Sequence, residues 1–537
     1  MSTSPLRRPD GTRPLLVASL VAVAIALLPT WYLFVRAADL GVAGVLAEFA
    51  TARVAGLAAT SLLLMVVVAA ASVLIAVPLA FLVTRTDLPL RRTVAVLAAL
   101  PLAVPSYVAA FAWLAAGELV GLRLEGFAPA ALVLTLYTFP YCYLAVVGVL
   151  ARTDPAQEEV ARSLGYGPWR TFRLVTLAQV TPAIGGGTLL VALYTLSDFG
   201  AVSILRLDTF TRAIFTALQV GFDRTGAVAL SLGLLALTAL ILTATHLTGR
   251  RAARYGTQEG RTPRPQPVIA LGVWRVPALL ACLAVIGTAL GVPALTLTRW
   301  TMAGVSRPGA PSEIAQAAAN TLGVGLAGAA VAVVLALPIG VLLARHRTGL
   351  PRLLERLTYL AHALPGVVVG LSLVSFGIAW APAIYQRTPL LLLAYATLFL
   401  PLALAPITAA ATRAAPVLGH VAQSLGVPPA RAWWRITVPL VLPGMGAGAA
   451  LVVLTIMKEL PATLLLRPTG METLATRLWS HTEVSAYAAL LVALAAVPTS
   501  VLVMRAGILG GGQTSARSTV ENVEGPEPLV DTLGGHR

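Results

Sequence analysis

Residues 155–182 read PAQEEVARSLGYGPWRTFRLVTLAQVTP, and residues 416–443 read PVLGHVAQSLGVPPARAWWRITVPLVLP. The two align without a gap: Ala161 meets Ala422, Ser163 meets Ser424, Leu164 meets Leu425 and Gly165 meets Gly426. Pro168, Arg170, Thr176 and Pro182 likewise meet Pro429, Arg431, Thr437 and Pro443. Each copy predicts a short helix closed by glycine, because a C-terminal cap needs the left-handed backbone that glycine adopts cheaply. A second helix follows, opened by proline, whose fixed φ suits a first turn. Both copies are polar, arginine-bearing islands in an apolar chain.

Working outward, 58% of the 537 residues are hydrophobic and 11% charged, with a mean hydropathy of +0.85. No soluble core needs that much apolar surface, so the chain reads as an all-α polytopic membrane protein. Its formal charge of +16 is to be sorted by membrane side before any partner is inferred, and no nucleic-acid partner is needed to explain it. Cys142 and Cys282 lie in apolar runs, too few for a disulfide framework or a closed zinc site. The one lysine is Lys458, so no phosphate-cradling loop ending in Gly-Lys-Ser/Thr exists. If ATP drives this protein, another chain hydrolyses it. The histidines are scattered without an HExxH pair. We therefore expect no catalytic site, no stable metal site and no cofactor bound by this chain.

Apolar runs long enough to cross about 30 Å of hydrocarbon lie near Pro14–Val35, Gly56–Val83, Thr93–Leu114, Phe127–Ala151, Val180–Val202 and Gly226–Leu247. The first run is longer than a secretory signal core and reads as an uncleaved helix. The pattern resumes near Val276–Leu297, Ala318–Leu343, Leu357–Ala379, Pro389–Ala411, Val441–Leu464 and Ser485–Val503. The expected architecture is thus about twelve transmembrane helices in two tandem halves of six. It is expected to divide into a cytoplasmic tail (1–13), a first half (14–248), a cytoplasmic linker (249–275), a second half (276–507) and a disordered cytoplasmic tail (508–537). With both termini in the cytoplasm, inner loops and tails carry about 26 Lys/Arg and outer loops about 11, the asymmetry that sets topology. Pro78, Arg85, Pro105, Pro140 and Arg152 recur as Pro338, Arg345, Pro365, Pro401 and Arg413. The halves are therefore parallel repeats, with a pore expected between them. Pro105 and Pro365 are expected to kink their helices, and Trp31, Tyr32, Trp300 and Trp479 to anchor at membrane interfaces.

A polar helix-turn-helix once per half suits docking to a two-fold partner; the alternative is a loop lying on the lipid surface with its arginines at headgroups. Ala-x-x-x-Gly preceded by Glu159, with the downstream proline, resembles the coupling segment of ABC importer membrane subunits, which in that family inserts into a cleft on the ATP-hydrolysing subunit. The resemblance is to the fused form carrying both membrane halves, with an ABC type I importer fold. YTLSDFGAVSILRLDTFTRAIF (Tyr194–Phe215) and MKELPATLLLRPTGMETLATRLW (Met457–Trp479) are similar to the ferric-iron permeases, and thiamine permeases share the fused architecture. The resemblance implies two cytoplasmic ABC ATPase subunits with ATP bound on them, an extracytoplasmic substrate-binding protein, and a bacterial plasma (inner) membrane. It implies ATPase coupling through Glu159, Ala161, Ser163, Leu164, Gly165, Pro168 and Arg170, and through His420, Ala422, Ser424, Leu425, Gly426, Pro429 and Arg431. The second copy departs at His420, where the first has the acid Glu159.

Charges within a membrane are costly enough to be functional suspects. Ser197 and Asp198 correspond to Lys458 and Glu459, and Arg206 and Asp208 are followed in the second half by Arg467. These seven residues are the expected translocation path or gate. Ferric iron is a hard ion suited to carboxylate ligands, so Asp198, Asp208 and Glu459 could form a transient acidic path. The alternative is that Asp198 and Glu459 pair with Lys458 or the arginines to fix helix packing. A secondary transporter also uses membrane carboxylates in two halves, but the duplicated polar segment favours an ATP-driven importer.

Overall fold

Lipid offers backbone groups no hydrogen-bond partner, so apolar runs of spanning length close their bonds internally as helices. The computed structural model describes residues 12–151, 156–219, 221, 223–252, 268–302, 311–346, 349–362, 364–413, 421–422 and 424–480. The first half holds α1 (Thr12–Phe49), α2 (Ala52–Arg85), α3 (Arg91–Leu97), α4 (Ser106–Leu119) and α5 (Phe127–Leu150). Short α6 (Ala156–Ser163) and α7 (Pro168–Thr171) follow, then α8 (Leu177–Ser197), α9 (Gly200–Ile204), α10 (Phe210–Gln219) and α11 (Arg224–Ala252). The second half holds α12 (Arg275–Ile286), α13 (Val292–Met302), α14 (Pro311–Arg345), α15 (Leu350–His362), α16 (Gly366–Trp380) and α17 (Thr388–Arg413). It continues with α18 (Pro429–Ala432), α19 (Val438–Lys458), α20 (Pro461–Leu466) and α21 (Leu474–Ser480).

Among the described residues, nine helices are long and apolar enough to span a membrane, and two helix pairs qualify only jointly. Those pairs, α3 with α4 and α15 with α16, bend by 97° and 95°. The straight spans expected at Thr93–Leu114 and Leu357–Ala379 are therefore broken helices. Pro105 and Pro365 cap the second arm of each with extended backbone (ψ 142° and 146°), and, lacking an N–H, neither can continue the hydrogen-bond ladder of the arm before it. The spans expected over Val180–Val202 and Val441–Leu464 stop early, at Ser197 and Lys458. The linker also starts late, because α11 stays helical to Ala252. The span expected near 485–503 and both outer tails lie outside the described residues.

Each half lends its first span to the other. α1 packs against α14, α15, α16 and α17, while α13 packs against α4. Accordingly Leu15, Ala22, Val23, Ala26 and Leu33 of α1 belong to the core of the second half, and Cys282, Ile286, Ala289 and Leu297 to that of the first. Tyr32 Oη donates to Ser375 O at 3.0 Å, and Tyr137 Oη to Ala289 O at 2.6 Å, across the two exchanges. Tyr32 is therefore buried, not an interfacial anchor. Trp300 packs edge-on against Phe111, and Trp479 lies tilted against Phe199, both across the halves. A further strap follows the linker: Ile269 N donates to Arg85 O, and Asp87 N to Ile269 O. Arg275 then hydrogen-bonds Asp87, and with the Leu271 N–H holds that carboxyl below its usual pKa.

Helices in lipid gain little from apolar burial and associate through close packing of small residues. Gly187 lies so near Cys142 that a Cβ there would meet its Cα at 2.5 Å, and Gly448 stands against Ala403 at 3.0 Å. These are corresponding positions, so the α5/α8 and α17/α19 crossings are built alike.

Candidate functional site

The duplicated segments form the same turn twice. In the first, Tyr166 N donates to Ala161 O at 3.1 Å and Gly165 N to Arg162 O; in the second, Val427 N donates to Ala422 O at 3.0 Å. Gly165 and Gly426 both take φ +84° with open space where a Cβ would stand. This is the glycine-capped C-terminus expected from the sequence. Ala161 and Ala422 point inward and are buried, whereas Leu164 and Leu425 are 69% and 78% exposed. Trp169, Trp434, Val160 and Val421 are exposed beside them, an apolar set of the kind that marks a protein contact. Glu159, Ser163, Ser424 and Arg431 are exposed, and the Arg170 guanidinium lies over the Tyr166 ring at 4.4 Å. Pro168 and Pro429 open α7 and α18. His420 lies outside the described residues. After each short helix comes a matching five-residue π-helix, Phe172–Thr176 and Trp433–Thr437, which no sequence feature announced.

The acid that anchors the first turn is Glu158, which sequence reasoning passed over for Glu159. Glu158 is buried, takes Arg85 Nη2 at 3.1 Å and Thr176 Oγ1 at 2.8 Å, and faces Arg162 at 3.9 Å. Helical phase carried the signal: Glu158 shares a face with Ala161, three residues on, while Glu159 is turned about 100° away. The buried pair ties α6 to the end of α2.

At the far ends of α8 and α19 the two carboxylates act as caps. Asp198 Oδ1 accepts the N–H groups of Ala201 and Val202, starting α9, and Oδ2 accepts a short hydrogen bond from Ser106, the first residue of α4. Glu459 Oε1 accepts Ala462 N at 2.9 Å, starting α20, and lies against Gly366, the first residue of α16. Asp with Ser in one half thus matches Glu with Gly in the other: the side-chain atoms missing from one partner are supplied by the opposite one. Ser197 Oγ donates to Tyr194 O at 3.0 Å. Its counterpart Lys458 crosses the halves and donates from Nζ to Leu102 O at 2.7 Å, a carbonyl in the α3/α4 break.

Of the seven suspected path residues, Ser197, Asp198, Lys458 and Glu459 gather at this seam. Asp208 stands apart, exposed and paired with Arg212 at 2.7 Å. Arg206 pairs with Glu125 at 3.3 Å, and Arg467 contacts Glu472 at 3.7 Å. Among the described residues neither Asp198 nor Glu459 pairs with a basic group; both cap backbone N–H groups instead. Arg467, Glu472, Arg477 and Glu313 line a polar cavity of about 820 Å³ that Leu218 of the first half also borders. Among the described residues no group of three or more His, Cys, Asp or Glu is placed to hold a metal ion.

The model of the family described as "Binding-protein-dependent transport system inner membrane component" matches this chain twice, over residues 72–254 and 336–507. The chain is 35% identical over 488 residues to the Fe(3+)-transport system permease protein FbpB 2 of Haemophilus influenzae, covering 89% of this chain and 94% of that protein. It is 28% identical over 200 residues to the sulfate transport system permease protein CysW of Escherichia coli K12, covering 35% of this chain and 69% of that one. Over 202 residues it is 35% identical to the molybdenum transport system permease protein ModB of Mycobacterium tuberculosis, covering 34% and 76%.

Proposed function

Because the chain belongs to the family of inner membrane components of binding-protein-dependent transport systems and carries the family's domain twice, we propose that it is the fused permease of an ATP-driven ferric-iron importer. The observation that carries this reading is the pair of matching glycine-capped turns, one per half, each presenting an exposed leucine with an exposed tryptophan close after it in the chain. The ferric cargo follows from the relative of matching length that transports Fe(3+).

In this reading the turns face the cytoplasm, as do both termini, in a bacterial inner membrane. Two ABC ATPase subunits grip them and supply the ATP; this chain is not an enzyme and binds no cofactor. An extracytoplasmic binding protein delivers iron at the opposite face, near Arg206, Asp208 and Arg467. Cargo then passes the seam of Ser197, Asp198, Lys458 and Glu459. With both carboxylates engaged in capping, the seam holds no closed metal site, as suits a conduit that must release what it admits. Switching between inward and outward openings would follow from nucleotide on one side and loaded binding protein on the other.

The test is uptake of radioactive ferric iron into proteoliposomes holding the full chain, its co-purifying ATPase subunits and an iron-loaded binding protein. Uptake that requires internal-face ATP supports the reading. Uptake driven by a proton gradient without ATP overturns it.

A further inference from the structure

The first docking turn is bolted to α2 from within the chain, through Arg85 and Glu158 with side chains 2% and 7% exposed. The second half repeats the arginine, the threonine and the helix crossing of that joint but not its acid, and Gln423 stands where the first half has Arg162. Arg345 ends α14 as Arg85 ends α2, Thr437 ends the π-helix as Thr176 does, and α14 packs along α19 as α2 packs along α8. The position of Glu158, however, is occupied by Gly419, and the chain has no Asp or Glu between Glu355 and Glu459. Arg345 is half-buried at the end of α14, and among the described residues it forms no ion pair. A guanidinium held in that setting favours a carboxylate partner, since a buried charge is tolerated when paired.

We propose that Arg345 receives its acid from outside: an Asp or Glu of the ATPase subunit seated on the second turn closes the ion pair that the first half closes for itself. This rests on the permease reading above and adds an asymmetry to it. The first turn is complete before docking, whereas the second is completed by docking. Arginine suits the role because its planar fork meets a carboxylate through two parallel hydrogen bonds.

The test uses the full chain assembled with its co-purifying ATPase subunits in detergent. Zero-length carbodiimide joins an amine to a carboxylate only where they touch, and the chain's single lysine sits at the seam. R345K therefore introduces a new amine at the joint. The expected product is a peptide linking residue 345 to an Asp or Glu of the ATPase subunit, while R85K links residue 85 to Glu158 within the chain. R345A should weaken ATPase binding at least tenfold, and R345K should retain most of it. A link from residue 345 to a carboxylate of this same chain overturns the proposal. So does an intact complex that lacks any link at 345 and binds R345A as tightly as the natural chain. Failure of the natural chain to hold ATPase subunits at all would instead overturn the permease reading itself.

Discussion

Lys458 Nζ lies 2.7 Å from the carbonyl oxygen of Leu102, so the second half donates a charged hydrogen bond into the helix break of the first. Leu102 lies in the short 3-10 turn Leu100–Ala103, and Pro105, three residues on, has no N–H to offer its carbonyl. The contact joins the two halves at the level of the capping carboxylates.

A hydrogen bond to a charged group contributes about 1.5–3 kcal/mol, so Lys458→Met should release that much bias toward the seam arrangement seen here. We expect an assembled complex whose ATP hydrolysis without binding protein rises at least about threefold, with Lys458→Arg close to the natural chain. Basal hydrolysis unchanged in Lys458→Met would show that this contact does not set the resting state.

The Arg85–Glu158 pair should behave non-additively. Removing one member of a buried pair strands the other charge and costs about 3–5 kcal/mol, whereas replacing both with apolar residues is often nearly neutral. Thermal unfolding in detergent should therefore show Arg85→Met and Glu158→Leu each strongly destabilised and the double variant largely restored. A double variant as unstable as the two losses combined would contradict the buried-pair account.

The Ser106–Asp198 and Gly366–Glu459 arrangements predict rescue by exchange. Asp198→Glu alone places an added methylene against Ser106 and should abolish most iron uptake; Ser106→Gly combined with it should recover a large share. Gly366→Ala sets a Cβ 2.6 Å from Glu459 Oε1 and should impair uptake while leaving ATPase binding intact. Equal defects in the single and double first-half variants would refute the shared-volume explanation.

Gly165 and Gly426 have open space around an added Cβ, so substitution there is penalised by backbone conformation alone. Asn tolerates left-handed φ and should be mild, Ala should cost about 1 kcal/mol, and β-branched Val should disrupt the turn. The measurement is retention of ATPase subunits by Gly165→Asn, Gly165→Ala and Gly165→Val; retention in the reverse order would disprove the cap assignment.

The repeat, the glycine caps and the spanning runs were legible because each depends on local residue type and spacing. The breaks at Pro105 and Pro365 were harder, since the chain stays apolar through them and hydropathy does not register direction. Proline marked the positions, but residue type alone does not distinguish a mild kink from a turn of about a right angle. Glu158 was obscured for a different reason: two adjacent acids look alike until the buried face of α6 is known. Asp198 and Glu459 stood out as intramembrane charges, yet both cap backbone N–H groups three or four residues ahead, a local cap hidden inside an apolar run, with Ser106 as a further donor to Asp198.

The π-helices at Phe172–Thr176 and Trp433–Thr437 stand between each docking turn and the long helix leading to the capping carboxylate. A π-turn contains about one residue more than an α-turn, so tightening it by that residue rotates the helix beyond it by about 100° and advances it by about 1.5 Å. Both halves thus hold a matched increment of screw motion on the line from surface turn to seam, available without unfolding either helix.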